Sequence, residues 1–481
     1  MEWGRATNTQ RPSGPGSFDL HSRFSFGCAR VQPQRMVHAG RNAAPSIADA
    51  SLAPVPWSAM LARVSTDVVD PPARGRSERA RSHSGQFPCF DGLRALAAGA
   101  VFIRHSGGMF EVQDPQYAAE GVQTWINRLG FFGIAVFFVI SGFLLFRPFA
   151  LASLAGRPAP RLLPFWQRRF FRIFPAYWAA LGVAVFVFGQ AQFESLGQGV
   201  TVFALAQTYR DGYLRVGLGV AWTLVVEVSF YVVLPGLAWL LDRISTRSTD
   251  TAAKVRAQAL ALIAMALVSF GVRAWYFSEP RPGYANPGPW FASELSRFWL
   301  PSYLDWFALG MAMALVSAWC ALDGHLPRAI AWLGDHAGWS WGVALGCYWV
   351  MTEFGIDPIG PGSFAIQSEV VIRWAMTGLA AAFFVLPAVF GGQSRGSVRS
   401  LLRTRVLVAG GVISYGIYLW HLPLWIQVVE WLPHGVPMAV QMAAVSALTL
   451  AVATASWHLL ERPIIRWASR RAPGSSAPSL P

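Results

Sequence analysis

Apolar segments of about 20 residues alternate with short polar loops between residues 92 and 459. A helix of that length crosses the hydrocarbon core of a bilayer. The pattern therefore predicts an all-α, polytopic membrane protein with about ten transmembrane helices. The predicted spans are 92–108, 131–149, 173–189, 221–241, 257–277, 299–319, 333–352, 368–390, 406–428 and 437–459.

The first 85 residues differ from the rest of the chain. They are rich in Arg, Ser, Pro, Ala and Gly, and they lack the apolar run that a signal peptide needs. We expect residues 1–85 to be a disordered, basic cytoplasmic tail, part of which is an artefact if translation starts at Met36 or Met60. A membrane domain is predicted over residues 86–463, with a short cytoplasmic tail over residues 464–481.

Composition excludes an ordinary soluble protein, because 13% of the residues are charged whereas soluble domains carry about 25%. The net charge of +14 is compatible with nucleic-acid binding, but the basic residues lie in short loops between apolar segments. That placement is typical of membrane topology. We therefore expect contact with membrane lipid and none with nucleic acid.

The arginines also predict the orientation of the chain. If the N-terminus is inside, the inner loops and the C-terminal end hold most of the basic residues from Arg147 to Arg471. The outer loops hold only Arg128, Arg210, Arg215, Arg281 and Arg297. The positive-inside rule thus favours both termini in the cytoplasm of a multi-pass protein of the cell (inner) membrane.

The stretch "GQGVTVFALAQTYRDGY" (197–213) is apolar over only about a dozen residues. A full span here would invert every later loop and place the arginines outside. We interpret the stretch as a re-entrant or interfacial piece on the outer side.

The four cysteines, Cys28, Cys89, Cys320 and Cys347, are widely scattered. They have neither the spacing of a metal site nor that of a paired disulfide framework, so we predict no metal and assign the cysteines no role.

Three ionisable residues fall near the predicted outer ends of spans. His105 ends the first span, Glu227 lies in "WTLVVEVSFYVVLP", and His421 lies in "ISYGIYLWHLPLW". Ionisable groups within a membrane are by default candidates for function. The alternatives are a helix-end residue that reaches the headgroups for His105, a structural hydrogen-bond partner for Glu227, and a packing residue for His421.

The inner side carries a different set of charges. Arg168, Arg169 and Arg172 open the third span, and Arg94 lies at the inner end of the first. Arg169 and Arg172 are three residues apart, so they share a helix face and could clamp phosphate groups. Ordinary positive-inside charge is the alternative.

This arrangement suits an enzyme whose donor enters from the cytoplasm and whose acceptor lies outside. A transporter or flippase that uses the same residues as gates fits the charges nearly as well, and a membrane scaffold fits them less well. Ser141 in "ISGF" could be a nucleophile, but small residues more often allow close helix packing. Glu461, in the "ERP" that follows the last span, is interpreted as structural.

Several motifs, in order over about 380 residues, resemble those of the integral-membrane acyltransferase-3 family. They are "FDGLRALAAGAVFIRHS" with ten residues between Arg94 and His105, "GFFGIAVFFVISGFLL", "RRFFRIFPAYW", "WTLVVEVSFYVVLP", "ISYGIYLWHLPL" and "ERP". The resemblance implies ten core helices and transfer of acyl groups to hydroxyls of extracytoplasmic glycans or small molecules. It also implies an essential His105, a donor site at Arg94, Arg169 and Arg172, and a functional Glu227.

On this basis we expect acyl-coenzyme A, with acetyl-coenzyme A as first choice, to bind at four arginines and to dock its phosphates on Arg169, Arg172 and their neighbours. The other two donor-site residues are Arg94 and Arg168. His105 then accepts the proton of the acceptor hydroxyl, with a covalent acyl-histidine as the variant. Glu227 could orient the imidazole as a triad carboxylate does, and His421 is a possible accessory.

Some members of the family carry an appended extracytoplasmic hydrolase-like domain that completes the transfer. The printed sequence ends at Pro481, about 20 residues after the last predicted span, without such a domain. We expect either direct acylation of the acceptor or a separate extracytoplasmic transferase as partner.

Overall fold

The computed structural model describes residues 87–471 apart from 114–121, 211, 215, 247, 249, 279–297, 325, 354–366, 393–395 and 434. This part of the chain consists of helices and turns, without a strand. The helices are α1 (Phe90–Gln113), α2 (Val122–Leu154), α3 (Leu162–Gly182), α4 (Leu196–Phe203), α5 (Trp222–Ser245), α6 (Thr251–Ser278), α7 (Leu304–Asp323), α8 (Arg328–Asp335), α9 (Ala337–Glu353), α10 (Gln367–Val389), α11 (Ser397–Leu402), α12 (Arg405–Val412), α13 (Ser414–Trp431), α14 (Met438–Ser456) and α15 (Arg462–Arg471).

The predicted all-α class is confirmed for the described residues. Each of the ten predicted spans overlaps a helix or a pair of helices. Among the described residues, seven helices are long and apolar enough to cross a membrane, and the pair α12–α13, bent by 69°, would be an eighth. The less apolar α1 and the 17-residue α9 are not among them. The count of ten spans and the N-in, C-in orientation therefore stay predictions.

Helix α2 lies at the centre of the bundle, where it packs along α1 and α7. Its close approach to α7 depends on glycine. A Cβ atom at Gly142 would collide with the backbone at Phe307, and one at Gly310 would collide with the backbone at Val139. The predicted packing role of the small residues after Ile140 is thus confirmed for Gly142.

Prolines within two long helices leave carbonyl groups without their usual N–H donor. Pro387 cannot donate to the carbonyl of Phe383, and the hydroxyl of Ser340 donates to that oxygen instead, at 2.6 Å. Pro235 cannot donate to Tyr231 in the same way, and the indole of Trp166 donates there at 3.0 Å. Neighbouring helices thus supply the hydrogen bonds that lipid cannot.

The C-terminal boundary of the predicted membrane domain differs from the sequence-based expectation. The predicted tail at 1–85 lies outside the described residues. The last helix does not end near residue 459: a π turn, Trp457–Glu461, connects α14 to α15, which continues through Pro463 to Arg471. Residues 464–471 of the predicted cytoplasmic tail are therefore helical. The π turn, which is wider than an α-helical turn, lies just before Pro463. The ring of a proline crowds the preceding turn of an ordinary α-helix.

The apolar stretch at 197–213 contains α4, which has eight residues, followed by a single 3₁₀ turn at Gln207–Tyr209. Eight helical residues extend about 12 Å, which is much less than the hydrocarbon core. The prediction that this stretch is not a full span is confirmed. Its side of the membrane stays a prediction.

Candidate functional site

Three of the four predicted donor-site arginines line one cavity of about 110 Å³. Arg169 and Arg172 come from one face of α3, and Arg94 comes from the first turns of α1. Arg168 is exposed and is not part of the lining. The other walls are largely apolar and aromatic, so the cavity joins a cationic wall to a lipophilic one. Its remaining lining residues are Ile134, Phe137, Phe138, Ile140, Ser141, Leu144, Leu145, Ile173, Thr223, Leu224, Glu227, Tyr231, Ser414, Tyr415 and Tyr418.

Glu227 lies in this cavity with the arginines. Its Oε1 atom accepts a hydrogen bond from the hydroxyl of Ser141 at 2.8 Å and another from the hydroxyl of Tyr231. Neither partner is an imidazole, so the contacts do not support the expectation that Glu227 orients His105. Among the residues that line the cavity there are three guanidinium groups and a single carboxylate.

Each cavity arginine is held by a neighbour. The guanidinium carbon of Arg169 lies 5.8 Å from the ring centre of Tyr231, and that of Arg172 lies 5.8 Å from the ring centre of Trp457. Arg94 forms an ion pair with Asp91, one turn earlier on α1, at 2.8 Å. The two aromatic contacts engage ring faces and leave the edge N–H groups of the guanidinium available to an anionic ligand.

His105 meets His421 rather than a carboxylate. The Nδ1 atom of His105 lies 3.1 Å from the Nε2 atom of His421, and the ring centres are 5.0 Å apart. His421 is buried, at 3% exposure, whereas His105 is half-buried. The structure therefore brings together the two predicted histidines, from helices α1 and α13.

The hydrogen bonds of the pair assign its tautomers. Each Nδ1 atom lies 3.0 Å from a carbonyl oxygen one turn earlier, that of Val101 for His105 and that of Ile417 for His421. Because a carbonyl only accepts, both Nδ1 atoms carry the proton in the neutral rings. The Nδ1–H of His105 is then shared between the carbonyl oxygen of Val101 and Nε2 of His421, and the Nε2 atom of His105 keeps a lone pair that can take a proton.

Tyr418 connects the cavity with the histidine pair. It lines the cavity, and its ring centre lies 6.0 Å from that of His421, one turn further along α13. Its hydroxyl is hydrogen bonded to Thr223 and donates to the carbonyl of Val220 at 2.7 Å. The basic cavity and the imidazoles thus lie along one face of α13, on either side of a fixed aromatic ring.

Sequence reasoning missed the tyrosines of the cavity and the hydrogen bond of Ser141. Tyr231 lies four residues after Glu227, a spacing that places two side chains on one helix face, so a signal was present. Ser141 had no such signal, because its partner lies 86 residues away in the chain.

Among the described residues, no group of three or more His, Cys, Asp or Glu side chains is placed to hold a metal ion. The chemistry available to the site is that of arginine, carboxylate, hydroxyl and imidazole groups.

Comparison with known proteins places the chain in a family. The model described as an acyltransferase domain matches residues 87–458. No solved structure matches the chain.

Three curated relatives illustrate the range of the family. The acyltransferase MdmB of Streptomyces mycarofaciens is 27% identical over 82% of this chain and 95% of its own length. Nodulation protein 10 of Rhizobium leguminosarum is 27% identical over 80% of this chain and 94% of its own. The peptidoglycan O-acetyltransferase OatA of Listeria monocytogenes is 25% identical over 78% of this chain and 55% of its own.

The family match covers nearly all of the described helices, including both the arginine cavity and the histidine pair. The apolar helices and these relatives together identify a multi-pass membrane protein. The chain belongs to the acyltransferase-3 family and is an O-acyltransferase.

Proposed function

We propose that this protein moves an acyl group, with acetyl as first choice, from cytoplasmic acyl-coenzyme A to a hydroxyl of an extracytoplasmic glycan or small-molecule acceptor. The observation that carries the proposal is the pairing of an arginine-lined cavity with an imidazole pair along the same helices. Arg94 and His105 are 11 residues apart on α1, which corresponds to about 16 Å. Coenzyme A has an arm long enough to cover such a distance.

The membrane orientation in this proposal follows from the distribution of the loop arginines. Ten spans with both termini in the cytoplasm place the arginine cavity toward the cytoplasm and the histidine pair toward the outer leaflet of the cell (inner) membrane. Arg94, Arg169 and Arg172 then meet the phosphates of the donor. Arg168, which is exposed, is assigned to the approach of the donor rather than to its bound position.

His105 acts as the general base in this mechanism. Its Nε2 atom removes the proton from the acceptor hydroxyl while that oxygen forms a bond to the thioester carbonyl carbon. The carbon–sulfur bond then breaks, and the thiolate takes the proton back from the imidazolium. In the covalent variant, Nε2 attacks the thioester carbonyl carbon and coenzyme A leaves as the thiolate. The acceptor hydroxyl then takes the acyl group from the acyl-histidine and gives its proton to the thiolate, which frees Nε2.

His421 holds His105 in the reactive tautomer. Glu227 acts at the donor end, where its contacts to Ser141 and Tyr231 place it among the arginines. This departs from the role of imidazole-orienting carboxylate, which the sequence suggested.

The acceptor is proposed from the relatives. OatA is named for O-acetylation of peptidoglycan, which favours an extracytoplasmic glycan, and MdmB is named only as an acyltransferase. A separate extracytoplasmic transferase as partner remains part of the proposal where the acceptor is a polymer. Transport without covalent change is the alternative function, and the family match favours the enzyme.

The test uses purified protein in lipid vesicles with radiolabelled acetyl-coenzyme A. We expect loss of the thioester that depends on His105, with His105→Ala slower by at least about 100-fold. His336→Ala is the matched control, since His336 makes the same Nδ1 contact to a carbonyl one turn earlier but is exposed at the start of α9. Substrate movement without thioester loss would support the transporter instead.

A further inference from the structure

Tyr231 makes contact with both charged partners of the cavity. It lies on α5 one turn after Glu227, lines the cavity, and is 6% exposed. Its hydroxyl donates to the carboxylate of Glu227, and its ring lies beneath the guanidinium of Arg169. No ion pair joins Arg169 to Glu227 in the described structure. The tyrosine therefore contacts each of the two charged groups, one through its ring and the other through its hydroxyl.

The backbone of Tyr231 is held from the same neighbouring helix. Pro235 leaves the carbonyl of Tyr231 without a helical donor, and the indole of Trp166 on α3 supplies the hydrogen bond. Trp166 and Arg169 are three residues apart, so both lie on the face of α3 that meets Tyr231. One residue of α5 is thus contacted at its backbone and at its ring by two residues of α3.

We propose that Tyr231 is a positioning residue that keeps Arg169 available to the anionic part of the donor. Two opposite charges in a cavity of low polarity attract each other strongly, and a guanidinium that pairs with a carboxylate has fewer N–H groups for a ligand. The ring of Tyr231 holds the Arg169 guanidinium by its face, and the positioning depends on this ring contact. The Oε1 atom of Glu227 accepts hydrogen bonds from both Ser141 and Tyr231, so it keeps one of them when only the tyrosine hydroxyl is removed. This inference rests on the proposed function, since it assumes that the ligand is the phosphate-bearing donor.

The inference is tested by donor binding to Tyr231→Leu and Tyr231→Phe in vesicles, with radiolabelled acetyl-coenzyme A as probe. Leucine removes the ring face and the hydroxyl, so Arg169 is free to pair with Glu227. We expect the Kd and KM for the donor to rise about tenfold, with kcat changed by less than about threefold. Phenylalanine keeps the ring, and we expect its Kd to stay within about threefold of the native value.

A double variant separates positioning from a general loss of structure. In an Arg169→Ala background, Tyr231→Leu should cause no further rise in Kd, because there is no guanidinium to position. An unchanged Kd in Tyr231→Leu, a Tyr231→Phe as weak as Tyr231→Leu, or an equal further rise in the Arg169→Ala background would overturn the inference. Native protein that binds no acyl-coenzyme A would instead overturn the proposed function, and this inference would fall with it.

Discussion

At the scale of single residues, the most informative feature is the contact between His105 and His421. Two carbonyl groups of the same helices assign the proton of each ring to Nδ1. In the proposed mechanism the base is therefore oriented by helical carbonyls and a second imidazole rather than by a carboxylate. This differs from a triad, where a carboxylate holds the imidazole.

We expect His421→Ala to lower turnover by about 10- to 100-fold while leaving the donor Kd unchanged. The reason is that the His105 ring loses the partner that holds its orientation, and small misplacements of a catalytic group are costly. The measurement is single-turnover acyl transfer together with donor binding. A His421→Ala protein with native turnover would remove His421 from the mechanism.

The proposed binding of donor phosphates by Arg169 and Arg172 leads to a second prediction at this scale. Arg169→Ala and Arg172→Ala should each weaken donor binding by about tenfold or more, because each removes a charged hydrogen-bond donor from the cavity. Arg161→Ala is the control, since Arg161 precedes the same helix but is exposed and lies outside the cavity. Equal donor affinity in all four proteins, the native one included, would contradict the phosphate clamp.

At the scale of helices, the bundle is held by side chains that replace hydrogen bonds lost at prolines. Ser340 on α9 is fully buried and donates to the carbonyl that Pro387 leaves free on α10. Inside a membrane no water can take that role, so the serine satisfies this carbonyl and links the two helices at this point.

Ser340→Ala should destabilise the protein by about 1–3 kcal/mol, since it leaves a buried carbonyl without a partner. The measurement is the midpoint of thermal unfolding in detergent. The double variant Ser340→Ala with Pro387→Ala should recover part of the loss, because alanine restores the helical N–H donor. If Pro387→Ala made the serine variant no more stable, the free carbonyl would not be the cause.

The long helices were largely predictable from the sequence, because most of them are encoded locally by an apolar run of sufficient length. The eight-residue α4 was also predictable as too short to span. The continuation of the last helix to Arg471 was not, since Pro463 ordinarily marks the end of a helix and the π turn before it has no local signature.

At the scale of the whole molecule, the proposal requires that the arginine cavity opens toward the cytoplasm. The distribution of loop arginines predicts this orientation. In protein whose native cysteines are replaced, a cysteine introduced at Arg157 should react with an impermeant thiol reagent only from the cytoplasmic side. One introduced at Arg281 should react only from outside. The reverse result would place the donor site on the wrong side and defeat the proposed function.

The sequence by itself determined the class of the protein, the family and the residue types at the site. Apolar runs, loop arginines and the Arg94–His105 spacing are local features, and local features can be recognised from the order of the residues alone. Arg169 and Arg172 were placed together for the same reason, because they are one turn apart on a single helix.

Only the tertiary structure decided which of these residues meet. His105 and His421 are 316 residues apart in the chain, and Ser141 and Glu227 are 86 apart. The predicted position along the membrane normal put Glu227 near the histidines. A helix presents side chains around its full circumference, however, and the position along the normal does not specify which face a side chain lies on. The packing of α5 against α2 and α3 turns Glu227 toward the arginines and leaves the imidazoles to each other.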